Sequence, residues 1–314
     1  MIAETAVAAG RGTTVDGVLL LDKPLGMSSN AALQAVRKLF GRVKGGHTGT
    51  LDPLASGLLP VCLGAATKFA GGLLEADKTY EAIILLGVAT TTGDAEGDPI
   101  LEANPAGCMA RLPEVLEAFT GDVDQVPPMF SAIKHLGRPL YRYARAGQSV
   151  ERQARRVRVY ALELLSSSGL EVSVRVRCSK GTYIRTLAHD IGLRLGCGAH
   201  LKALRRTGIG GFRIEQAVGL DRLAQLTEPE RVGCLRSADV LLADLPAVVV
   251  DRVQAEALLQ GRSVALPAPL GAVRLYAEDG LFLGLGAGGQ GLLLPKRMWV
   301  RSQPARSLAH ADVA

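Results

Sequence analysis

Apolar positions along the chain fall at two spacings, and the spacing separates strands from helices. Residues 17–21 (Gly-Val-Leu-Leu-Leu) form a continuous apolar run that stops at Asp22-Lys23-Pro24-Leu25-Gly26, which predicts a short buried strand and a turn. Ser28 and Ser29 then stand where a helix cap is needed, ahead of a helix reaching Leu39. In residues 171–179, Val172, Val174, Val176 and Cys178 alternate with Ser173, Arg175, Arg177 and Ser179, the period of a strand with one buried face. Gly181-Thr182 breaks that strand, and Ile184, Leu187, Ala188 and Ile191 recur at helical spacing, which puts Arg185 in the first turn of a helix. Residues 65–74 and 112–119 also read as helices, 79–86 as a strand, and the Gly- and Thr-rich stretch 41–51 as a loop. Strands and helices do not alternate regularly, so an α+β fold is expected rather than a doubly wound one.

The texture changes after Asp244. Short apolar runs at 273–276, 281–285 and 292–294 are separated by an Asp279-Gly280 turn and by glycine-rich residues 286–291. This predicts a large unit over 16–245 and a small β-rich domain over roughly 246–302, with Lys296 and Arg297 following its last strand. Residues 1–15 carry Glu4 and Arg11 without the apolar block of a secretory signal and read as a flexible extension; 303–314 read as a flexible tail.

Composition narrows the function classes. With 48% hydrophobic and 21% charged residues the 314-residue chain is an ordinary globular protein. Its apolar runs fall far short of the ~18–20 residues of a membrane span, so no membrane association is expected. Five cysteines, at 62, 108, 178, 197 and 234, are scattered and never spaced C-x-x-C, which speaks against disulfides and zinc and for reduced thiols in a cytoplasm. The net charge of +6 suggests a polyanionic partner, and its distribution says more: residues 134–158 hold eight Lys or Arg against Glu151, a local +7, leaving the remainder near neutral.

No P-loop, H-E-x-x-H motif or placed G-x-G-x-x-G is present, and Gly208-Ile209-Gly210-Gly211 reads as a turn. Asp94, Glu96 and Asp98 lack the glutamate a calcium loop would carry seven residues on, where Pro105 stands. The densest segment is residues 45–61, GGHTGTLDPLASGLLPV. Its glycines allow close backbone approach to a ligand, and Pro53 with the apolar residues behind it can hold Asp52 rigidly. From the residues alone, Asp52 reads first as the cap of a helix starting at Pro53, and His47 as a hydrogen-bonded loop residue.

That segment closely resembles the G-G-H-x-G-x-L-D-P-x-A-x-G-x-L-P motif of the bacterial tRNA pseudouridine-55 synthases, the TruB family. Further matches follow in order: Leu20-Leu21-Asp22-Lys23-Pro24, Lys78-Thr79-Tyr80, Thr92-Gly93-Asp94, Pro127-Pro128-Met129-Phe130-Ser131-Ala132, Gly181-Thr182-Tyr183-Ile184-Arg185 and Leu204-Arg205-Arg206. The resemblance spans roughly residues 15–302. It implies a pseudouridine synthase fold with a mixed, largely antiparallel central sheet and a C-terminal PUA-like RNA-binding domain.

It also implies an isomerase of uridine 55 in the T loop of tRNA that works without a cofactor, because substrate and product are isomers. Asp52 becomes the carboxylate that attacks C1′ or C6, a choice the sequence leaves open. Arg185 is expected to keep Asp52 ionised in a dry pocket, and Tyr80 to stack on the flipped uracil and transfer a proton. Tyr183 and Leu204 fall on positions that line the uracil pocket, although all three of these last residues would also pass as core. His47 is expected to steady the RNA left behind by the flipped base, Lys23 to support the loop, and Asp94 to accept a hydrogen bond behind the site. The stretch 127–147, within an insertion of about 124–152, resembles the family's RNA clamp, with Lys134, Arg138, Arg142 and Arg145 interleaved with Tyr141 and Tyr143 for phosphate contact and stacking. The expected partner is the tRNA T stem-loop, with no protein partner and a monomer acting alone. The alternatives are an RNA-binding or RNA-folding protein and the catalytic subunit of a guide-RNA particle.

Overall fold

The structure, a computed structural model, describes residues 15–299; the expected extension before Val15 and the tail at 303–314 lie outside the described residues. The chain opens with β1 (Gly17–Lys23) and α1 (Ser29–Leu39), where the Ser28 hydroxyl caps the helix by accepting from Ala31 N at 3.1 Å. There follow β2 (Gly45–His47), β3 (Ala55–Leu63), a 3₁₀ turn at Gly64–Phe69, α2 (Gly71–Leu74), β4 (Lys78–Leu86), the hairpin β5 (Val88–Thr90) and β6 (Pro99–Glu102), α3 (Cys108–Ala118) and β7 (Gly121–Gln125). After an excursion holding β8 (Lys134–His135), β9 (Arg138–Pro139) and α4 (Leu140–Arg145) come β10 (Arg155–Ser168), β11 (Glu171–Cys178), α5 (Ile184–Leu195), β12 (Ala199–Ile209), β13 (Phe212–Arg213), β14 (Val218–Gly219), α6 (Leu220–Gln225) and α7 (Glu228–Gly233).

The main sheet runs β14-β1-β3-β12-β4-β11-β10-β7, with β2 added to β3 and β13 to β12. Only β1/β14 and β3/β12 pair in parallel, so the sheet is mixed and largely antiparallel, and the fold is α+β as the patterning predicts. Tyr80, Ala82, Ile84 and Leu86 of β4 and Val172, Val174, Val176 and Cys178 of β11 face one core, covered by α3 and α5. The opposite face of β11 presents Arg175 and Arg177 to solvent, in ion pairs with Glu81, Glu163 and Asp77. All five cysteines are free thiols.

Several expectations need correction. The apolar run after Asp52 is not a helix: it is β3, a central strand buried on both faces from Leu58 to Leu63, and such a strand carries no period-two signature. Residues 65–74 form a 3₁₀ turn and a single α turn, interrupted at Ala70. Residues 45–47, inside the expected loop, add a short strand to β3.

A second sheet, β15-β17-β18-β19-β16, is built from β15 (Ala247–Val250), β16 (Val264–Ala265), β17 (Gly271–Ala277), β18 (Phe282–Gly289) and β19 (Leu292–Met298), with α8 (Arg252–Leu259) packed against it. The glycine-rich stretch continues β18 to Gly289 rather than forming a loop. Its glycines are needed for packing, since a Cβ on Gly288 would stand 2.2 Å from Pro269 O. Lys296 and Arg297 lie within β19, not after it, and Arg297 Nη1 donates to Lys68 O at 2.5 Å. The two sheets meet at an aromatic seam in which Phe69 packs edge-on to Phe282 at 5.5 Å and against Trp299 at 5.9 Å between ring centres.

Phe69 is fully buried in that seam, so Phe69→Ala should lower unfolding free energy by about 3–5 kcal/mol. Denaturant titration would show this as a lower midpoint, and an unchanged midpoint would mean that the seam contributes nothing to stability.

Candidate active site

Asp52 sits in a turn that is tied down on both sides. The buried Ser29 hydroxyl, in the first turn of α1, accepts from Leu51 N at 2.7 Å and donates to Leu51 O at 2.9 Å. Ala55 N donates to Asp52 O at 3.0 Å, and Gly26 N to Pro53 O at 2.9 Å, so the turn after β1 lies against the turn that carries the carboxylate. Lys23, fully buried at the end of β1, spends its ammonium on the carbonyls of Pro24 and Met27 and fixes that neighbouring turn.

Arg185 enters from the first turn of α5, nearly inaccessible with 6% of its side chain exposed. Its Nη2 lies 3.0 Å from Asp52 Oδ2 and its Nη1 3.3 Å from Asp94 Oδ2. The same two nitrogens donate to Phe130 O at 2.7 Å and to Thr92 O at 3.3 Å, so one guanidinium ties three segments to α5. Asp94 is buried and is itself held, its Oδ1 accepting from Thr92 Oγ1 at 2.5 Å and from Glu96 N at 3.1 Å.

The surroundings of Asp52 are less dry than expected. The Asp52 side chain is 41% exposed, so one side of the carboxylate meets solvent. Burial of its inner side raises its pKa above the ordinary aspartate value, against the pull of Arg185 and Lys23; Asp94 adds to the rise. Arg185 limits the rise and, being shared with a second anion, does not reverse it.

Tyr80 lies on β4 with its ring in the main core, and burial raises its phenol pKa. Tyr183 caps α5 and exchanges hydrogen bonds with buried Gln125, its carbonyl accepting from Nε2 at 3.3 Å and its N–H donating to Oε1 at 3.0 Å. Leu204 is half-buried on β12, facing Ala55 across the parallel ladder. His47 on β2 has a buried Nδ1 without a hydrogen-bond partner; burial first, and Arg206 second, lower its pKa and favour the neutral ring. The charge of Asp52 acts on Lys23, Tyr80 and Tyr183, which places all three close to the carboxylate.

Arg142 and Arg145 are not in this cluster. They stand exposed on α4, in the excursion that leaves the β7/β10 edge at Gln125 and returns at its ladder partner Arg155. There Arg145 lies 5.5 Å over the Tyr141 ring and Arg138 5.0 Å over Tyr143, around a recess of about 420 Å³. The local charge is smaller than the linear count implies, because Arg156 and Arg158 belong to β10 and pair with Asp124 and Asp122 at 3.5 and 3.7 Å. The sequence patterns assign no role to Arg206 or Lys78, both buried cations near the site, or to the Phe130 carbonyl; the Leu204-Arg205-Arg206 match is the only pointer to the first.

Comparison with known proteins follows the same lines. The family model described as "TruB family pseudouridylate synthase (N terminal domain)" matches residues 37–184, "tRNA pseudouridylate synthase B C-terminal domain" matches 185–258, and "Pseudouridine synthase II TruB, C-terminal" matches 246–299. The tRNA pseudouridine synthase B of Aromatoleum aromaticum is 54% identical over 286 residues, 90% of this chain and 92% of its own. That of Burkholderia mallei is 52% identical over 295 residues, 91% of this chain and 97% of its own. Among solved structures, a Cbf5-Nop10-Gar1 complex contains a chain with a TM-score of 0.67 and 29% identity, covering 89% of this chain and 84% of that one. An H/ACA RNP bound to a substrate RNA containing 2′-deoxyuridine contains another, with a TM-score of 0.68 and 27% identity over 91% and 86%. These likenesses run through both sheets and across the turn that carries Asp52, and the chain accordingly belongs to the TruB family of pseudouridylate synthases.

Proposed function

We propose that this chain isomerises uridine 55 in the T loop of tRNA to pseudouridine, with Asp52 as the attacking carboxylate. The observation that carries this reading is the 3.0 Å contact between buried Arg185 and half-exposed Asp52, in a chain 54% identical to a protein named tRNA pseudouridine synthase B. The reaction breaks the N1–C1′ bond, turns the uracil, forms C5–C1′ and moves the C5 proton to N1; nothing is exchanged with a cofactor. Asp52 attacks in its ionised form, and Arg185 holds one oxygen so that the other faces the everted nucleotide. Tyr80 stacks on the flipped base and handles a proton, while Tyr183 and Leu204 line the base pocket. His47, held neutral, steadies the RNA that the base has left. Lys23 and Asp94 act from behind, through the turn and through Arg185.

In this reading residues 16–245 form the catalytic unit, with the clamp at about 124–152, and 246–302 form a PUA-like unit that reaches helical RNA beyond the flipped base. Extrusion of a stacked base costs a few kcal/mol, offset by stacking and by phosphate contacts of the Arg138–Arg145 face. The chain works as a monomer in the cytoplasm, on tRNA alone. Among the described residues no helix is long and apolar enough to cross a membrane. The solved relatives in H/ACA particles point to the guide-RNA alternative, but the more similar relatives are named for tRNA, which favours turnover by the pure protein.

Mapping pseudouridine in tRNA after incubation with purified protein tests the reading directly: product at position 55 supports it, and no product sinks it. Asp52→Asn should abolish isomerisation while tRNA affinity stays within about tenfold. The acid limb of kcat should lie above the range of an ordinary aspartate, because Asp52 titrates high and must be ionised to attack. Asp94→Asn removes a like charge and should move that limb to lower pH; a limb that stays in place or rises would show that Asp94 does not act on Asp52. Replacing Arg142 and Arg145 together by Ala should weaken tRNA binding and reduce the slope of log K against log salt by about one for each phosphate no longer neutralised, measured by filter binding.

A further inference from the structure

Arg206 is a cation enclosed in the main sheet. With 1% of its surface exposed it stands on β12, and none of the ion pairs among the described residues includes it. Carbonyls meet it instead: Nε donates to Leu58 O on β3 at 2.7 Å, and Nη2 to Gly49 O at 3.2 Å. Gly49 is three residues before Asp52, and Tyr80 is the residue opposite Arg206 in the β12/β4 ladder. A charge buried without a counter-charge is unfavourable, and at a central strand position an apolar residue of similar volume usually serves stability as well or better. The backbone is shaped around this one. The β12/β4 register shifts just after Arg206, the kind of bulge that re-aims a side chain. Gly57, its neighbour on β3, has φ +104°, and a Cβ there would stand 2.3 Å from Arg206 O.

We propose that Arg206 is a positioning residue for the isomerisation, strapping the loop that carries Asp52 to β3 and orienting the phenol of Tyr80, so that carboxylate and phenol keep a fixed separation. This rests on the roles given above to Asp52 and Tyr80. The planar fork of guanidinium donors spans Leu58 O and Gly49 O while facing Tyr80, a geometry a compact ammonium cannot reproduce. Its field reaches the same neighbours: Arg206 opposes the rise of the Tyr80 pKa and lowers those of His47, Lys23 and Lys78.

The test is turnover of T-loop RNA by wild type, Arg206→Lys and Gly49→Ala, with RNA affinity and melting measured alongside. Displacement of reacting groups by ~1 Å costs on the order of a hundredfold in rate. Folded Arg206→Lys should therefore lose at least about tenfold in kcat, with KM and RNA affinity within about threefold. A merely structural arginine would lower the melting temperature and leave kcat alone; folded Arg206→Lys with wild-type kcat overturns the proposal. Gly49→Ala keeps the buried cation and strains the loop at the carbonyl it holds, since Gly49 has φ +96°. If Arg206→Lys does not fold, the same loss of kcat at constant KM is expected from Gly49→Ala, and wild-type kcat there overturns the proposal. Wild-type protein that makes no pseudouridine would instead sink the functional reading on which this one stands.

Discussion

The guanidinium of Arg185 is claimed at once by Asp52, Asp94 and two backbone carbonyls, and the electrostatics around Asp52 follow from that division. A dedicated arginine would pull a carboxylate well below its ordinary pKa and tie up both of its oxygens. A shared one binds Asp52 through a single nitrogen, so the carboxylate remains fixed in place and partly open to solvent. The second anion holds the arginine from behind and keeps Asp52 from being over-stabilised, which suits the attack proposed for it.

The surroundings are cationic to a degree a stable core does not require. Lys23, Lys78, Arg185 and Arg206 are all buried; Arg185 faces Asp52 and Asp94, Lys23 feels Asp52, and Lys78 feels Glu75 and Asp77. Burial and the neighbouring charge of Arg206 bring the Lys23 ammonium down to about 8, although Asp52 partly opposes the shift. Such crowding opposes folding, and the backbone carbonyls of Pro24, Met27, Leu74 and Ala76 offset it for the two lysines.

What is legible in the linear chain is whatever depends on near neighbours. The alternation in β11, the Ser28 cap of α1 and the position of Arg185 in the first turn of α5 are local, and each is visible in the residues. β3 is illegible because a strand buried on both faces looks, in sequence, like any apolar run. A linear count overstates the charge of the clamp because Asp122 and Asp124, more than thirty residues away in sequence from Arg158 and Arg156 respectively, meet them only across the β7/β10 ladder. Asp52 and Arg185 stand out through a motif, but the sharing of Arg185 with Asp94 and Phe130 O, and the strap from Arg206 to Gly49, join segments between about fifty and a hundred and sixty residues apart. No periodicity carries that information.

The aromatic seam of Phe69, Phe282 and Trp299, with Arg297 bonded to the carbonyl of Lys68, has a geometric corollary. Interlocked rings resist sliding and hinging in a way that a wet, polar contact would not. The separation between Asp52 and the outer sheet is thereby set like the jaws of a caliper. A change in either sheet that shifted these rings would alter that opening without touching a residue at Asp52.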